Sequence, residues 1–325
     1  MTHRKWYHIG SVLTALLGIA FVAAVVSPAR AQAYPTRPVR LLSNPPGGAP
    51  DFVARLISPA LSSALGQQVI IDNRPAAVAI ETAAKAAPDG YTFVITGSAL
   101  WLLPFLRDQV PWQPMRHFAP VVATMASPLI LVVHPAVPAK SVKELIELAR
   151  AKPGELNYGS TSSGTLPHIA AELFKAMTGV KIVRVAYKSA GPALVAIAGG
   201  EVQTAFATPS SAMPHIATGR VRALAVTSAA PTALAPGLPT VASTVPGYEA
   251  VSIVGVFAPA RTPEKIIAQL NGEIGTILRL PDVKEKIFKT GAEPVGDTPA
   301  HFAATVQSEM KRLGHVIKAS RIQEQ

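Results

Sequence analysis

The segment that decides the fold is Asn44-Pro45-Pro46-Gly47-Gly48-Ala49-Pro50-Asp51, which joins an apolar strand pattern at residues 39–42 to a helical pattern from Phe52. The glycine pair permits positive φ and lets another group approach the backbone closely. Pro50 suits the first helical position, and Asp51 places a negative charge where the helix dipole favours it. The unpaired N–H groups at such a helix start predict an anion site. A tight turn without a ligand is the alternative.

The first residues have the composition of a secretory signal. Residues 1–8 are basic, residues 9–26 are almost wholly apolar, and small residues follow up to Ala31-Gln32-Ala33. This order predicts a signal peptide over residues 1–33, cleaved after Ala33, and therefore a mature protein outside the cytoplasm. Cleavage after Ala31 and an uncleaved membrane anchor are the alternatives.

The composition excludes several classes of function. The 325 residues include no cysteine, so disulfides, thiolate metal sites and thiol chemistry are excluded. The net charge is +11, of which Arg4, Lys5 and Arg30 of the signal contribute three, so the mature chain carries +8. Because aromatic residues are few and runs of lysine and arginine are absent, no nucleic acid partner is expected. A basic surface of this kind either attracts small anions or is simply solvated.

Strand and helix patterns alternate along the mature chain, which predicts an α/β fold with parallel sheets covered on both faces. Pro59 lies inside the first helix and should kink it. Ser141 and Glu144 form a capping box that starts a helix ended by Lys152-Pro153-Gly154. The predicted strands span 39–42, 69–71, 91–96, 121–125, 129–133, 157–159, 181–187, 202–207, 221–226 and 251–258. The other predicted helices span 50–65, 81–86, 166–178, 192–198, 211–218, 263–278, 282–290 and 299–319.

Small polar residues follow three of the predicted strands. The strand ends are Thr96-Gly97-Ser98, Thr208-Pro209-Ser210-Ser211 and Thr227-Ser228. Ligands of parallel α/β sheets bind at the carboxyl ends of the strands, where these residues offer hydroxyl and N–H donors without formal charge. The pattern predicts a cleft lined by neutral donors, with ordinary turn chemistry as the alternative.

A loop rich in glycine and serine, Gly159-Ser160-Thr161-Ser162-Ser163-Gly164-Thr165, joins a predicted strand to a helix. Its glycine spacing is that of a phosphate loop, but Thr165 stands where such a loop needs lysine, so nucleotide hydrolysis is not expected. The loop suits a carboxylate held by N–H groups and hydroxyls. Ser163 and His168 lack the sequence context of a serine hydrolase, and the histidines lack metal-ligand spacing. No catalytic residue, metal or cofactor is therefore predicted.

Short motifs follow one another in a specific order along the whole mature chain. They are Tyr34-Pro35-Thr36-Arg37-Pro38-Val39-Arg40, Pro46-Gly47-Gly48 with Asp51, Asp72-Asn73-Arg74-Pro75, Ala86-Ala87-Pro88-Asp89-Gly90-Tyr91-Thr92, Phe118-Ala119-Pro120-Val121, Pro138-Ala139-Lys140-Ser141, Lys152-Pro153-Gly154-Glu155-Leu156-Asn157-Tyr158, Ala186-Tyr187-Lys188, Arg222-Ala223-Leu224-Ala225-Val226-Thr227 and Gly291-Ala292-Glu293-Pro294-Val295-Gly296. Together they resemble the Bug/TctC family of extracytoplasmic solute-binding proteins, which serve tripartite tricarboxylate transporters.

The resemblance implies a type II periplasmic-binding-protein fold, in which two α/β lobes, each with a mainly parallel sheet, close on a ligand like a flytrap. Lobe 1 would comprise residues 34–134 and 251–325, and lobe 2 residues 135–250, with the crossings near 129–134 and 251–258. It also implies a small organic carboxylate as ligand, and the large and small membrane subunits of a transporter as partners. We expect a monomer without enzymatic activity. A periplasmic sensor that feeds a signalling receptor is the alternative role.

The resemblance also assigns candidate ligand-binding residues. In the first lobe Asp51 would hold the helix start while the glycine turn offers backbone donors. In the second lobe the loop after residue 159 would supply further donors, with Tyr187 and Thr208 on the walls. The full candidate set is Pro46, Gly47, Gly48, Asp51, Ser98, Ser160, Ser163, Thr165, His168, Tyr187, Ser189 and Thr208.

Several positions depart from the family pattern. Asn44 replaces a usual phenylalanine, and residues 76–80 replace a longer glycine-rich segment, so backbone donors there would be lost. Ser189 replaces a glycine and Gln203 an aspartate. Apolar residues also stand where the family is more polar, namely Leu100, Trp101 and Leu103. These three suggest a more apolar cleft, suited to a monocarboxylate or an aromatic acid, unless they belong to the core or this chain binds poorly.

Overall fold

The computed structural model describes residues 34–160, 164–187 and 190–322, and its elements lie in one compact unit that begins at Arg37. The predicted signal peptide and its cleavage site lie outside the described residues. The strands are β1 (Val39–Ser43), β2 (Val69–Asn73), β3 (Thr92–Thr96), β4 (Phe118–Pro128), β5 (Ile130–Val133), β6 (Asn157–Ser160), β7 (Val183–Ala186), β8 (Thr204–Ala207), β9 (Arg222–Val226), β10 (Val251–Pro259) and β11 (Glu293–Pro294). The helices are α1 (Ala49–Leu65), α2 (Ala76–Ala84), α3 (Ala99–Leu106), α4 (Pro114–His117), α5 (Val142–Ala151), α6 (Leu166–Thr178), α7 (Ala190–Ala198), α8 (Pro209–Ala217), α9 (Glu264–Leu278), α10 (Pro281–Lys289) and α11 (Pro299–Ala319).

The first sheet has the strand order β11-β4-β10-β3-β1-β2. β1 lies parallel to β2 and β3, whereas β10 lies antiparallel to β3 and β4, and β11 antiparallel to β4. Because β1 and β3 are parallel, their carboxyl ends meet at one edge of the sheet. The turn at residues 44–48 and Ser98 therefore lie at the same edge.

The second sheet has the strand order β7-β6-β8-β5-β9. β6 lies parallel to β7 and β8, and β5 lies antiparallel to β8 and β9. The carboxyl ends of β6, β7 and β8 meet at one edge, which brings Ser160, Tyr187 and Thr208 to the same side of the sheet.

The predicted α/β architecture is confirmed, and both sheets are mixed rather than mainly parallel. The antiparallel strands are largely those through which the chain passes between the sheets. β4 and β5 are separated by Leu129 alone, and β10 follows a long connection from the second sheet. A strand that enters directly from the other sheet has no helical crossover, which parallel pairing requires. The lobe boundaries at 134/135 and 250/251 stay a prediction.

Three helices around the first sheet differ from the prediction: α2, α3 and the short α4, which the sequence pattern does not predict. Residues 76–80, which were expected to form a shortened loop, are the first turns of α2. α3 is not predicted by the sequence pattern because its residues are apolar on all sides, and a buried helix of this kind has no polar face to reveal its period. α1 continues through Pro59 and ends at Gly66, whose φ of 65° closes the helix in the left-handed region.

One buried apolar cluster extends through both sheets. It contains Leu42 and Phe257 from the first sheet and Leu131, Tyr158 and Phe206 from the second, all at most 3% exposed. There are two smaller clusters. One lies between the first sheet and the helices α1 and α9, and the other lies between the second sheet and the helices α7 and α8. α11 packs against β4, α3 and α6, so it contacts elements on both sides of the large cluster.

Candidate functional site

The glycine turn after β1 binds a carboxylate that belongs to the chain itself. Gly47 has a φ of 88°, and its N–H donates to Oδ2 of Asp51 at 3.2 Å. Arg55 Nε donates to the same oxygen at 3.0 Å, and Asn73 Nδ2 donates to Oδ1 at 2.7 Å. Asp51 thereby stabilises the turn before α1, and the Gly47 N–H is engaged by this side chain.

The charge of Asp51 is well compensated although the residue is only 3% exposed. Burial raises the pKa of the carboxyl, but hydrogen bonds from two side chains and the Gly47 N–H outweigh burial, and the net pKa is lowered. The Gly48 N–H lies 3.4 Å from the Pro45 carbonyl oxygen, and Pro46 is exposed in the turn. The Gly47 N–H of the predicted anion site is therefore engaged by Asp51, and an external anion at this turn stays a prediction.

Neutral polar groups lie at the carboxyl ends of β1 and β3. Thr96 Oγ1 donates to Asn44 Oδ1 at 3.3 Å, and the Asn44 carbonyl accepts from Asn73 at 2.6 Å. The Ser98 carbonyl accepts the first N–H groups of α3. The Ser43 hydroxyl is fully buried and has no hydrogen-bond partner among the described residues. The polar groups at this edge of the first sheet are therefore uncharged and largely bonded to one another, and their use by a ligand stays a prediction.

In the second sheet, the start of α6 is built around His168. Thr165 precedes the helix, and Gly164, with a φ of 78°, donates its N–H to His168 Nδ1 at 3.3 Å. The pKa of His168 is lowered to about 4, mainly by burial and to a smaller extent by the positive charge of Arg184. The ring is therefore neutral at neutral pH and accepts a hydrogen bond from the loop. Ser163, like Ser189, lies outside the described residues.

A basic residue that the sequence reasoning missed, Arg184, lies beside this loop. It stands on β7 opposite Tyr158 of β6, and its Nε donates to Ser160 Oγ at 2.8 Å. Ser160 is 2% exposed at the end of β6. The alternation of residues 181–187 was the available signal, because it places Arg184 on one face of the strand with Ile182 and Ala186.

A compensated ion pair lies deeper in the same layer. Glu172 accepts from the Tyr158 hydroxyl at 2.6 Å and from Lys175 Nζ at 2.7 Å. Burial raises the pKa of Glu172, whereas the hydrogen bonds from Lys175 and Tyr158 lower it, with a net lowering. The charge of Arg184 acts on the same group of residues, since it lowers the pKa of His168.

Two predicted residues share a small cavity at the carboxyl ends of β6 and β8. The cavity, of about 30 Å³, is lined by Ser160, Thr208, Gly159 and apolar residues that include Phe206. This volume suits about one water molecule or one small polar group. Thr208 Oγ1 also lies 2.7 Å from Ser211 Oγ at the start of α8. Tyr187 packs against the backbone of Gly159 at the same edge, and its role as a wall of a ligand site stays a prediction.

The three residues expected to make the cleft apolar lie in the core. Leu100 and Trp101 are fully buried and Leu103 is 6% exposed, all within the large cluster. Trp101 Nε1 donates to Glu309 Oε2 at 2.8 Å. Leu106, at the end of α3, packs against Gly164 of the second sheet's loop. The alternative that these residues are core is the correct one, so they give no ground for an unusually apolar cleft.

The position of Gln203, where the family carries aspartate, has a structural role. Its Oε1 accepts from the Asn157 N–H at 2.8 Å and thereby links β8 to the start of β6.

Within the described residues no cluster of three or more His, Cys, Asp or Glu side chains could hold a metal ion. Over the same residues, every helix is too short or too polar to cross a membrane.

Comparison with known proteins identifies relatives over nearly the full length. The family model described as tripartite tricarboxylate transporter family receptor matches residues 53–322. A UPF0065 protein from the tcbD-tcbE intergenic region of Pseudomonas sp. strain P51 is 36% identical over 316 residues, covering 94% of each chain. Protein BugT of Bordetella pertussis is 33% identical over 314 residues, covering 94% of this chain and 96% of BugT.

Solved structures share the fold. An R. palustris protein with adipate is 36% identical, with a TM-score of 0.68 over 89% of this chain and 99% of that one. MatC from Rhodopseudomonas palustris, with bound malate, is 28% identical, with a TM-score of 0.63 over 87% and 100%. A TctC solute-binding protein from Polaromonas without ligand is 21% identical, with a TM-score of 0.82 over 88% and 99%. These likenesses confirm the predicted periplasmic-binding-protein fold.

Proposed function

Because this chain belongs to the tripartite tricarboxylate transporter receptor family, we propose that it is a periplasmic protein that captures a small organic carboxylate and delivers it to the membrane subunits of a transporter. The N-terminal signal pattern supports the location. The two relatives solved with adipate and malate support the ligand class. The role is binding and delivery, without catalysis.

The observation that carries the proposal is the Ser160 edge of the second sheet. It combines the Ser160 hydroxyl, the start of α6, whose Pro167 lines the same cavity as Ser160, and the guanidinium of Arg184, whose Nε lies 2.8 Å from Ser160 Oγ. Helix starts and guanidinium groups both favour carboxylates. His168 is neutral at neutral pH and accepts a hydrogen bond from the Gly164 N–H just before α6.

The first sheet contributes in a different way. Because Asp51 already engages the Gly47 N–H, we assign the turn mainly a positioning role. Ser98 and the neutral groups near Asn44 would face the far end of the ligand. A carboxylate would thus be bound chiefly in the second lobe, with polar, uncharged contacts in the first.

The experiment is thermal unfolding of the mature protein, residues 34–325, against adipate, malate, citrate, an acidic amino acid and benzoate. A ligand at 100 times its dissociation constant adds about 2.7 kcal/mol to the stability of the folded state, which raises Tm by roughly several degrees. We expect a rise with at least one carboxylate and none with the corresponding neutral amides. Unchanged Tm with every acid, for a protein that is folded by circular dichroism, would contradict carboxylate capture.

The Arg184→Gln variant should bind the carboxylate identified in this way about 10- to 100-fold more weakly, because a hydrogen bond to a charged group contributes roughly 1.5–3 kcal/mol. Arg184→Lys, which keeps the charge but not the planar fork, should lose less. Titration calorimetry measures both affinities. Arg220→Gln, at an exposed position after α8, changes the net charge equally and should bind like the parent. Equal affinities of the Arg184→Gln and Arg220→Gln proteins would exclude a role for Arg184 in binding.

A further inference from the structure

We propose that a groove between α3 and α11 is the docking surface for an acidic amphipathic segment of the membrane partner. This inference rests on the delivery step of the proposed function and adds the surface and the chemistry of the partner. The groove has a volume of about 450 Å³. Its floor is formed by Phe105, Met115 and Met310, and its rim by Lys311, His315 and Lys318.

The floor exists because a glycine lets an aromatic ring lie against the backbone of α11. A Cβ atom added to Gly314 would stand 2.6 Å from the Phe105 ring, a distance that side chains do not tolerate. Phe105 therefore rests directly on the helix, with Lys318 Nζ 5.3 Å from its ring centroid. Met115, 36% exposed, extends the apolar surface towards α4. Such a floor fits one or two apolar anchor side chains of a partner helix.

The rim is basic and lacks acidic residues. Lys311, His315 and Lys318 follow one another at helical spacing on one exposed stripe of α11. None of them forms an ion pair with an acidic side chain among the described residues, and no carboxylate lines the groove. Charge complementarity therefore favours a partner segment with two or three carboxylates at the same spacing. A free small anion would leave the apolar floor unused.

The groove also adjoins the contact between the two sheets. α3 starts at the carboxyl end of β3, beside Ser98, and ends with Leu106 packed against Gly164 of the loop that precedes α6. Phe105, the neighbour of Leu106, forms the floor of the groove. A segment bound there would contact the helix that joins the ligand edge of the first sheet to the loop of the second, so docking and ligand capture would involve the same element.

The test uses a fluorescein-labelled peptide of about 15 residues that carries Glu at positions i, i+4 and i+7 and leucines on the adjoining face. Fluorescence anisotropy with the mature protein should show saturable binding that weakens as salt is added. The Lys311→Glu/Lys318→Glu protein should bind at least about 10-fold more weakly. The matched Lys265→Glu/Lys284→Glu protein carries the same charge change on α9 and α10 and should bind like the parent.

The other outcomes overturn the proposal. Unsaturable binding, or an equal loss in both double variants, would show that the peptide binds by net charge alone. A third outcome is that the peptide fails to bind, that the parent protein floats with vesicles of anionic lipid, and that the Lys311→Glu/Lys318→Glu protein does not. This result would assign the groove to a membrane surface instead. The carboxylate-induced rise in Tm should persist in Lys311→Glu/Lys318→Glu. If a carboxylate raises Tm but the peptide does not bind to the parent protein, only the docking proposal is refuted. If no carboxylate raises the Tm of the parent protein, the proposed function is refuted.

Discussion

Replacing Gly255 with alanine should destabilise the protein by about 3 kcal/mol or more, at the upper end of overpacking effects. A Cβ atom at this position would lie 2.3 Å from Cζ and 2.5 Å from Cε1 of Phe302, and 2.9 Å from the Val122 carbonyl oxygen. Gly255 lies in β10, which is hydrogen-bonded to β3 on one side and β4 on the other. The strand cannot move aside without breaking one of these pairings. Urea denaturation followed by circular dichroism measures the loss.

Gly272→Ala is the matched control for this substitution. Gly272 lies inside α9, and nothing stands within 4 Å of an added Cβ atom. Alanine there should stabilise the protein by about 0.5–1 kcal/mol, because glycine is a poor helix former. Adding Phe302→Leu to Gly255→Ala should recover part of the lost stability. A Gly255→Ala protein as stable as the parent would show that the contact with Phe302 is not required.

The second large effect is a pH dependence that arises from Glu309. This carboxyl lies on α11, is 3% exposed, and accepts a hydrogen bond from Trp101 Nε1 at 2.8 Å. Burial raises its pKa to about 7, against the opposing influence of Trp101 and Arg312. The facing charges are Arg312 on the same helix and Glu249, which is bound to Arg312 at 2.9 Å.

The sign of the effect follows from the raised pKa. Between an ordinary value near 4.5 and about 7 the folded protein keeps a proton that the unfolded chain has released. The contribution of Glu309 to stability is therefore most favourable below pH 4.5, falls as the pH rises through this window, and is least favourable above pH 7. The two pKa values correspond to a difference of about 3 kcal/mol over the window.

Glu309→Gln tests this dependence because glutamine keeps an acceptor for Trp101 and removes the titration. Urea denaturation at pH 5, 6, 7 and 8 should give a variant about as stable as the parent at pH 5 and up to about 3 kcal/mol more stable at pH 8. Glu147→Gln, at a largely exposed position on α5, should follow the parent at each pH. A constant difference between the Glu309→Gln protein and the parent across the series would assign the slope to other groups.

The sequence predicts the order and type of most elements, since their signals are local. The glycine turn before α1, the capping box at Ser141 and the glycine after α6 all lie where the pattern places them. α3 has no such signal, because its eight residues are apolar throughout. The mixed sheets also depend on which strands the chain uses to pass between the sheets, and that choice is not encoded in any single segment.

The candidate site is less predictable, because its chemistry depends on pairs that are distant in the chain. The residue types at the strand ends predict neutral donors for a ligand, and this stays a prediction. They do not reveal that Asp51 would engage the Gly47 N–H, nor that Arg184 would reach Ser160 from the neighbouring strand. Leu100 and Trp101 were expected at the cleft because they follow a strand end, yet the helix they form turns them into the core.

The apolar cluster shared by the two sheets has a consequence for folding. Leu42 and Phe257 on one side and Leu131 and Phe206 on the other belong to the same buried cluster. Neither half, expressed by itself, would retain a closed core, because each would expose the face that the other covers. The two sheets should therefore lose their structure together, in one cooperative transition, and the chain should behave as a single folding unit despite its two sheets.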